Sequence, residues 1–362
     1  MSLPAAVRLP LSFLSLFSVL SLSSSWAHAD AQQDVAKGRW QGLAGMANLY
    51  LDEATPADFI EAGDNEKSQH DNYAGALAYY LTAARLDPKN AYASYQAAGS
   101  LAAMDKNKRA AEYLDQARER GFWQLVLLKE DDELESLQQD PAYKKLLQAA
   151  EKNYPAKARD AGLAAFSIPQ GKAPSEGWPV VVWLSGFGTE GSDGIDMRTD
   201  LVGEKAVLVG INGTLKRDEH QFMWQQHSVA PTEEAVSAAL KKLEKQTRID
   251  RSRIVLMGFS QGAEHASHLI AEYPQHYSGA LLLSPGGYRI PFGETKARDK
   301  RIVIVHGAKE HESNQKLTAA TQQALEPGNQ VQSHEHEHEQ GHTFQDDWRQ
   351  VYPGYLKFAL NL

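Results

Sequence analysis

The stretch that decides the fold is RIVLMGFSQGAEHASHLIAE, residues 253–272. Its first part, Arg253–Gly258, is a short run of apolar and β-branched residues, which is typical of a buried strand. Its second part, Gln261–Glu272, carries apolar residues at helical spacing. The chain is therefore predicted to pass from strand to helix at Ser260 with almost no connecting loop.

Similar apolar runs recur on both sides of this stretch, with amphipathic segments such as Thr232–Lys245 between them. Continuous apolar strands that alternate with helices indicate an α/β fold with a mostly parallel sheet covered by helices. Functional residues in such sheets lie at the carboxyl ends of the strands. The expected strands are Val180–Leu184, Ala206–Ile211, Arg253–Gly258, Gly279–Ser284 and Arg301–His306, followed by a polar run at Gln330–Glu339.

The residues at the strand-to-helix junction, Gly258-Phe259-Ser260-Gln261-Gly262, match the pattern G-x-S-x-G of a nucleophile elbow. The sharp turn strains the serine backbone, and the glycines let strand and helix approach without a clash of Cβ atoms. Ser260 is therefore predicted to be a nucleophile whose hydroxyl stands above the sheet. The N–H of Gln261 is expected to point at the same place.

A serine hydroxyl is a weak nucleophile at neutral pH, so it needs a base within hydrogen-bond reach. In this type of sheet an acid and then a histidine follow the serine along the chain. His342 lies beyond the last polar run and is the expected base, while Glu310 follows the strand Arg301–His306 and is the expected acid. The acid would fix the tautomer of the imidazole. Alternatives for the acid are Glu312, Asp346 and Asp347.

Three further histidines compete for the role of base: His334, His336 and His338, which alternate with glutamates in HEHEHE (334–339). The alternation favours one face of an exposed edge strand, whose charges discourage pairing with other strands. Imidazoles at this spacing also suggest an alternative, a weak Zn²⁺ or Cu²⁺ site. The spacing of a catalytic zinc site is absent, so we expect no metal and no other cofactor.

The loop SGFG (185–188) follows the strand Val180–Leu184 and is expected to supply a second oxyanion donor, the N–H of Phe187. With the N–H of Gln261, it would hold the tetrahedral intermediate of an acyl transfer. A glycine-rich loop can also cradle phosphate. This one lacks both G-x-G-x-x-G and the ending G-K-[ST], which argues against nucleotide binding.

These motifs resemble the α/β-hydrolase superfamily over about residues 161–362, most closely its carboxylesterase/phospholipase branch, which includes acyl-protein thioesterases and feruloyl-esterase-like enzymes. The resemblance rests on GFSQGA (258–263), HGAKE (306–310), GHTF (341–344) and LSGFG (184–188). It implies a metal-free esterase or thioesterase with these residues in the roles given above. It also implies that Trp224 borders an acyl pocket; a place in the core is the alternative. The sequence departs from the family in Ser185, where the family usually has His, and in Glu310, where it usually has Asp.

The segment before this domain, residues 33–160, is predicted to be helical. Ala76, Tyr80 and Ala83 match Ala110, Leu114 and Ala117 at the 34-residue spacing of a tetratricopeptide repeat. Residues 55–121 resemble about two such repeats, with ends at Leu86-Asp87-Pro88 and at Gly121. The resemblance implies a groove for a protein or peptide partner, and a packing appendage is the alternative.

The first 29 residues are typical of a secretory signal: Arg8, an apolar run over residues 9–22, and the A-x-A site Ala27-His28-Ala29. The apolar run is too short and too serine-rich to span roughly 30 Å of hydrocarbon. We expect export to the periplasm or beyond, without a stable membrane anchor. The mature chain would comprise a helical domain at 30–160 and a catalytic domain at 161–362.

The composition excludes several classes of function. The 362-residue chain contains no Cys, which excludes disulfides, thiolate metal sites and a cysteine nucleophile. Its net charge of −9 without a basic stripe makes nucleic acid an unexpected partner. The leading hypothesis is therefore hydrolysis of a small-molecule or acylated ester or thioester. A serine peptidase or amidase and a non-catalytic adaptor are the alternatives.

Overall fold

The structure is a computed structural model that describes residues 54–286, 292–293, 295–338 and 341–362. The chain divides into two compact units, residues 1–155 and 156–362. The expected signal sequence lies outside the described residues. Within the described ranges, none of the helices combines the length and the apolar character that crossing a bilayer requires.

The described part of the N-terminal unit is helical. The first described helix, which starts at Pro56, begins at a capping box, in which the Thr55 hydroxyl accepts from the N–H of Asp58 and the Asp58 carboxylate accepts from the N–H of Thr55. The elements are α1 (Pro56–His70), α2 (Tyr73–Leu86), α3 (Ala91–Ala103), α4 (Asn107–Glu119), α5 (Leu125–Glu130), a 3₁₀ helix (Asp132–Leu137) and α6 (Pro141–Lys157).

The six residues that carry the 34-residue spacing lie on α2 and α4, and all are fully buried. Helix α2 ends at Leu86, before Pro88, and Gly121 follows α4 with a left-handed φ of 86°. The helical character expected for this segment is confirmed. Its likeness to tetratricopeptide repeats stays a prediction.

The C-terminal unit is built on a seven-stranded sheet in the order β1-β3-β2-β6-β7-β8-β9, in which β1 alone is antiparallel to its neighbour. A separate hairpin pairs β4 with β5. The strands are β1 (Ala164–Ser167), β2 (Trp178–Leu184), β3 (Val207–Ile211), β4 (Leu215–Asp218), β5 (Gln221–Met223), β6 (Ile249–Phe259), β7 (Gly279–Leu283), β8 (Arg301–Gly307) and β9 (Gln330–His336).

Helices cover both faces of this sheet. Along β2, Val180 and Val182 pack into one core cluster, while Val181 and Trp183 pack into the cluster on the other face. Because successive side chains of a strand point to opposite faces, β2 is buried throughout. The mostly parallel, doubly covered sheet is thus confirmed. Its main helices are α7 (Arg198–Leu201), α8 (Ala230–Leu243), α9 (Gln261–Glu272), α10 (Glu312–Leu325) and α11 (Trp348–Leu360), with 3₁₀ helices at Gly191–Met197 and Gly203–Lys205.

Two features of the sheet differ from the expectation. The strands β1, β4 and β5 are too short, at three or four residues, to give a clear periodic signal. In addition, β9 ends at His336 and not at Glu339; along it His336 is buried and His334 partly buried, whereas Glu335 is exposed. The edge position expected for this strand is confirmed, since β9 is the last strand of the sheet, and its glutamates are more exposed than its histidines.

Candidate active site

Ser260 lies between β6 and α9 in a conformation that non-glycine residues rarely adopt, with φ 54° and ψ −122°. The backbone around it is tied to the neighbouring strand ends. Its N–H donates to the carbonyl oxygen of Leu283 (2.9 Å), and the N–H of Gly286 donates to the Ser260 carbonyl oxygen (3.4 Å). These bonds hold the strained turn in place at the N-terminus of a helix.

The two glycines of the motif are required by close backbone contacts. A Cβ atom on Gly258 would lie 2.4 Å from the carbonyl oxygen of Gly262. A Cβ atom on Gly262 would lie 2.1 Å from the carbonyl oxygen of Leu184. Strand β6, helix α9 and the end of β2 can therefore meet at Ser260 only where side chains are missing.

The structure places the imidazole of His342 between Ser260 and Glu310. Nε2 of His342 lies 2.9 Å from Oγ of Ser260, and Nδ1 lies 3.0 Å from Oε2 of Glu310. The Phe259 ring packs against the imidazole, with ring centroids 5.1 Å apart. A hydroxyl, an imidazole and a carboxylate thus form a continuous line, the geometry in which a base activates a serine.

Glu310 is held in its ionised form. Its side chain is fully buried, and burial alone raises the pKa of this carboxyl. Hydrogen bonds from His342, from the Ser284 hydroxyl and from the N–H of Gly307 outweigh burial and lower the pKa below its ordinary value. The extra methylene of Glu relative to Asp therefore does not prevent contact with the imidazole.

The alternative acids take part in other contacts. The carboxylate of Glu312 pairs with Lys316 at 2.6 Å, and that of Asp346 lies 3.3 Å from Nε2 of His338. Asp347 accepts from the side chain of Gln345 at 2.6 Å. The described residues, which omit 339–340, contain no group of three or more His, Cys, Asp or Glu side chains placed to hold a metal ion.

Sequence reasoning missed two residues of the site. Ser284 follows β7, and its hydroxyl donates to Glu310; its position at a strand end is the signal that would have revealed it. Asn314 lies in the first turn of α10, and its Nδ2 is 3.2 Å from Nδ1 of His342. A polar residue on a mostly exposed helix gives no such signal.

The loop of residues 185–188 lies beside the serine. A Cβ atom on Gly186 would lie 3.5 Å from Cβ of Ser260. Within the described ranges, the backbone N–H groups of Phe187 and Gln261 donate to no protein acceptor. The Phe187 side chain is half-exposed, and the Arg217 guanidinium lies 5.1 Å from the centre of its ring.

Several hydrogen bonds hold this loop, which begins at Ser185. The Thr189 hydroxyl donates to the carbonyl oxygen of Gly186 (2.9 Å), and the Ser185 hydroxyl donates to that of Thr189 (3.3 Å). The N–H of Gly188 donates to the carbonyl oxygen of Phe222 on β5 (2.8 Å). The hairpin β4–β5 is therefore fastened to the loop.

Trp224 requires a correction. Expected to border an acyl pocket, it is fully buried, so its ring offers no surface to a ligand. Its indole N–H donates to the carbonyl oxygen of Ser185 (2.9 Å), and its backbone N–H donates to Oε1 of Gln261 (3.0 Å). Trp224 thus belongs to the core, where it links the loop after β2 to the start of α9.

A segment of the C-terminal unit matches a known protein family. Residues 211–351 match the phospholipase/carboxylesterase family. The matched segment, less than half of the chain, contains Ser260, Glu310 and His342. It supports an α/β-hydrolase of the esterase branch. No curated protein matches the chain.

Solved structures with a similar chain include three esterases. The carboxylesterase of Bacillus cereus is 18% identical, with 54% of this chain and 93% of that chain covered at a TM-score of 0.44. The carboxylesterase of Mesorhizobium loti is 20% identical (51% and 90% covered, TM-score 0.41). The phospholipase/carboxylesterase of Dyadobacter fermentans is 17% identical (53% and 95% covered, TM-score 0.41).

Proposed function

We propose that this protein is an exported serine hydrolase that cleaves carboxylic esters or thioesters through an acyl-Ser260 intermediate. The observation that carries the proposal is the line of contacts from Ser260 through His342 to Glu310, at 2.9 Å and 3.0 Å. The family match over residues 211–351 supports ester chemistry. Export is proposed from the character of residues 1–29.

In the proposed reaction, Oγ of Ser260 attacks the ester carbonyl while Nε2 of His342 takes its proton. His342 returns that proton to the leaving alcohol or thiol as the C–O or C–S bond breaks. A water molecule then attacks the acyl-enzyme with the same base, which releases the acid and the free serine. Glu310 accepts from Nδ1–H throughout and stabilises the imidazolium.

The negative oxygen of the tetrahedral intermediate would be held by the N–H groups of Phe187 and Gln261. Both groups lack a protein acceptor among the described residues, and Gln261 begins helix α9, whose N-terminal dipole favours negative charge. Losing one such donor typically costs ~10²–10³ in rate.

The direct test is labelling with a fluorophosphonate probe, followed by turnover of p-nitrophenyl esters of increasing acyl length. We expect the wild type to be labelled and active, and Ser260→Ala to be neither. Ser252→Ala is the matched control, because Ser252 lies in the first half of β6, away from Ser260, and its hydroxyl donates to the carboxylate of Asp250. Labelling that persists in Ser260→Ala would overturn the assignment of the nucleophile.

The ester specificity and the export are tested separately. Peptide anilides cleaved faster than the esters would favour a peptidase or amidase, and labelling without turnover of any ester would favour an adaptor. Export predicts that cell fractionation recovers the protein outside the cytoplasm with Asp30 as its first residue. A mature protein that retains Arg8 would contradict that part of the proposal.

A further inference from the structure

We propose that Asn314 is a positioning residue that shares the Nδ1 atom of His342 with Glu310, and so helps to fix the orientation and the charged state of the imidazole. The inference rests on the proposed function, in which His342 is the base. Its starting point is that one ring nitrogen has two neighbours: Oε2 of Glu310 at 3.0 Å and the Asn314 amide at 3.2 Å.

Asn314 is held in this position by its backbone and by its side chain. The backbone N–H of Asn314 donates to the carbonyl oxygen of His311 (2.9 Å), which fixes the first turn of α10. Oδ1 of the side-chain amide packs against Gly286, where a Cβ atom would lie 2.7 Å from it. Gly286 is itself bonded to the carbonyl oxygen of Ser260. The amide therefore fills the space between the elbow and the imidazole.

The chemistry of His342 decides which end of the amide is useful. When Nε2 accepts the proton of Ser260, Nδ1 carries a hydrogen and is a donor. The amide nitrogen of Asn314 is also a donor, so the two groups could not form a hydrogen bond. A half-turn of the amide presents Oδ1 to Nδ1 instead. In that orientation the positive charge of the imidazolium is met by the Glu310 carboxylate and by the Asn314 carbonyl dipole together.

The described charged groups around the imidazole are few. Glu310 faces it from the loop after β8, where its negative charge also favours the charged form of His336 on β9. On α10, Glu312 and Lys316 pair with each other in solvent. The end of β6 contributes the uncharged Phe259 ring. A carboxylate placed at position 314 would therefore be a second negative charge at Nδ1.

This arrangement predicts that the carboxylate that contacts Nδ1 of His342 can be moved from position 310 to position 314. Glu310→Gln places an amide donor at Nδ1, stabilises the wrong tautomer and should lower kcat/KM by ~10³–10⁴. Asn314→Asp preserves the side-chain shape and puts a carboxylate oxygen at the same nitrogen. We expect the double variant E310Q/N314D to recover at least about tenfold over E310Q in kcat/KM for a p-nitrophenyl ester.

The control is E310Q/S313D, which adds the same charge one residue away, at the exposed Ser313, and should recover nothing. A second readout uses single variants with Glu310 intact. Asn314→Asp should move the acid limb of the kcat/KM profile to higher pH and Asn314→Leu to lower pH, each by roughly half a unit or more. A purely structural role would change the rate without moving the limb.

The outcomes separate the inference from the proposed function. If the wild type shows Ser260-dependent hydrolysis, equal rates for E310Q and a folded E310Q/N314D, with an acid limb unmoved by both single variants, overturn the role of Asn314 alone. If the wild type hydrolyses no ester through Ser260, the proposed function and this inference fall together.

Discussion

Trp224→Phe provides a quantitative test of how the oxyanion loop is held. The substitution keeps an aromatic ring in the core but removes the indole N–H, leaving the buried carbonyl oxygen of Ser185 without its 2.9 Å partner. An unsatisfied buried acceptor costs about 1–3 kcal/mol. Because the loop carries Phe187, we also expect kcat to fall, by less than the ~10²–10³ that accompanies loss of a whole oxyanion donor.

Trp178→Phe is the matched control, since it makes the same change at a buried ring of the same core cluster. Trp178 begins β2, and its Nε1 is buried with no hydrogen-bond partner among the described residues. The free energy of unfolding, measured by urea titration, should therefore drop about 1–3 kcal/mol further for Trp224→Phe than for Trp178→Phe. Equal losses in the two variants, or unchanged kcat in Trp224→Phe, would refute the reasoning.

Further predictions concern glycine and histidine positions. Gly262→Ala forces a Cβ to within 2.1 Å of a backbone oxygen and should abolish probe labelling. Gly354→Ala, exposed on α11 with nothing within 4 Å of the new Cβ, should keep labelling and raise the free energy of unfolding by ~0.5–1 kcal/mol. Full labelling of Gly262→Ala, or a loss of stability in Gly354→Ala, would contradict the contacts described. Burial and the charge of His268 lower the pKa of His265 to about 3 from 6.5. The unfolded chain therefore binds a proton between these values that the folded chain does not, so stability falls as the pH drops below 6.5. Urea titrations of His265→Gln between about pH 4 and pH 7 should show a shallower loss than the wild type, and parallel curves would refute this assignment.

Residues whose positions follow from local rules could be predicted from the sequence. G-x-S-x-G between an apolar run and an amphipathic helix places Ser260 at a strand end, and the carboxyl ends of parallel strands lie at one edge of a sheet. The same rule pointed to Glu310 and His342, which the structure brings into contact with each other and, through His342, with Ser260. Their catalytic roles stay predictions.

Residues whose positions follow from tertiary packing could not be predicted. Trp224 follows a hairpin of only four and three residues, too short for a periodic pattern, so its burial depends on how that hairpin packs. Asn314 reaches the imidazole because α10 begins at Glu312, two residues after Glu310, a geometry that sequence spacing alone does not give. The direction of the histidine face of β9 likewise depends on register.

The strained backbone at Ser260 has a consequence for the stability of this protein. A residue in such a conformation costs of order 1–3 kcal/mol of folding free energy. This is a sizeable fraction of the roughly 5–15 kcal/mol free energy of unfolding of a typical protein. The surrounding strands must supply that difference, because nothing about the serine itself favours the turn. The cost of this strained backbone thus falls on the same residue whose hydroxyl contacts His342.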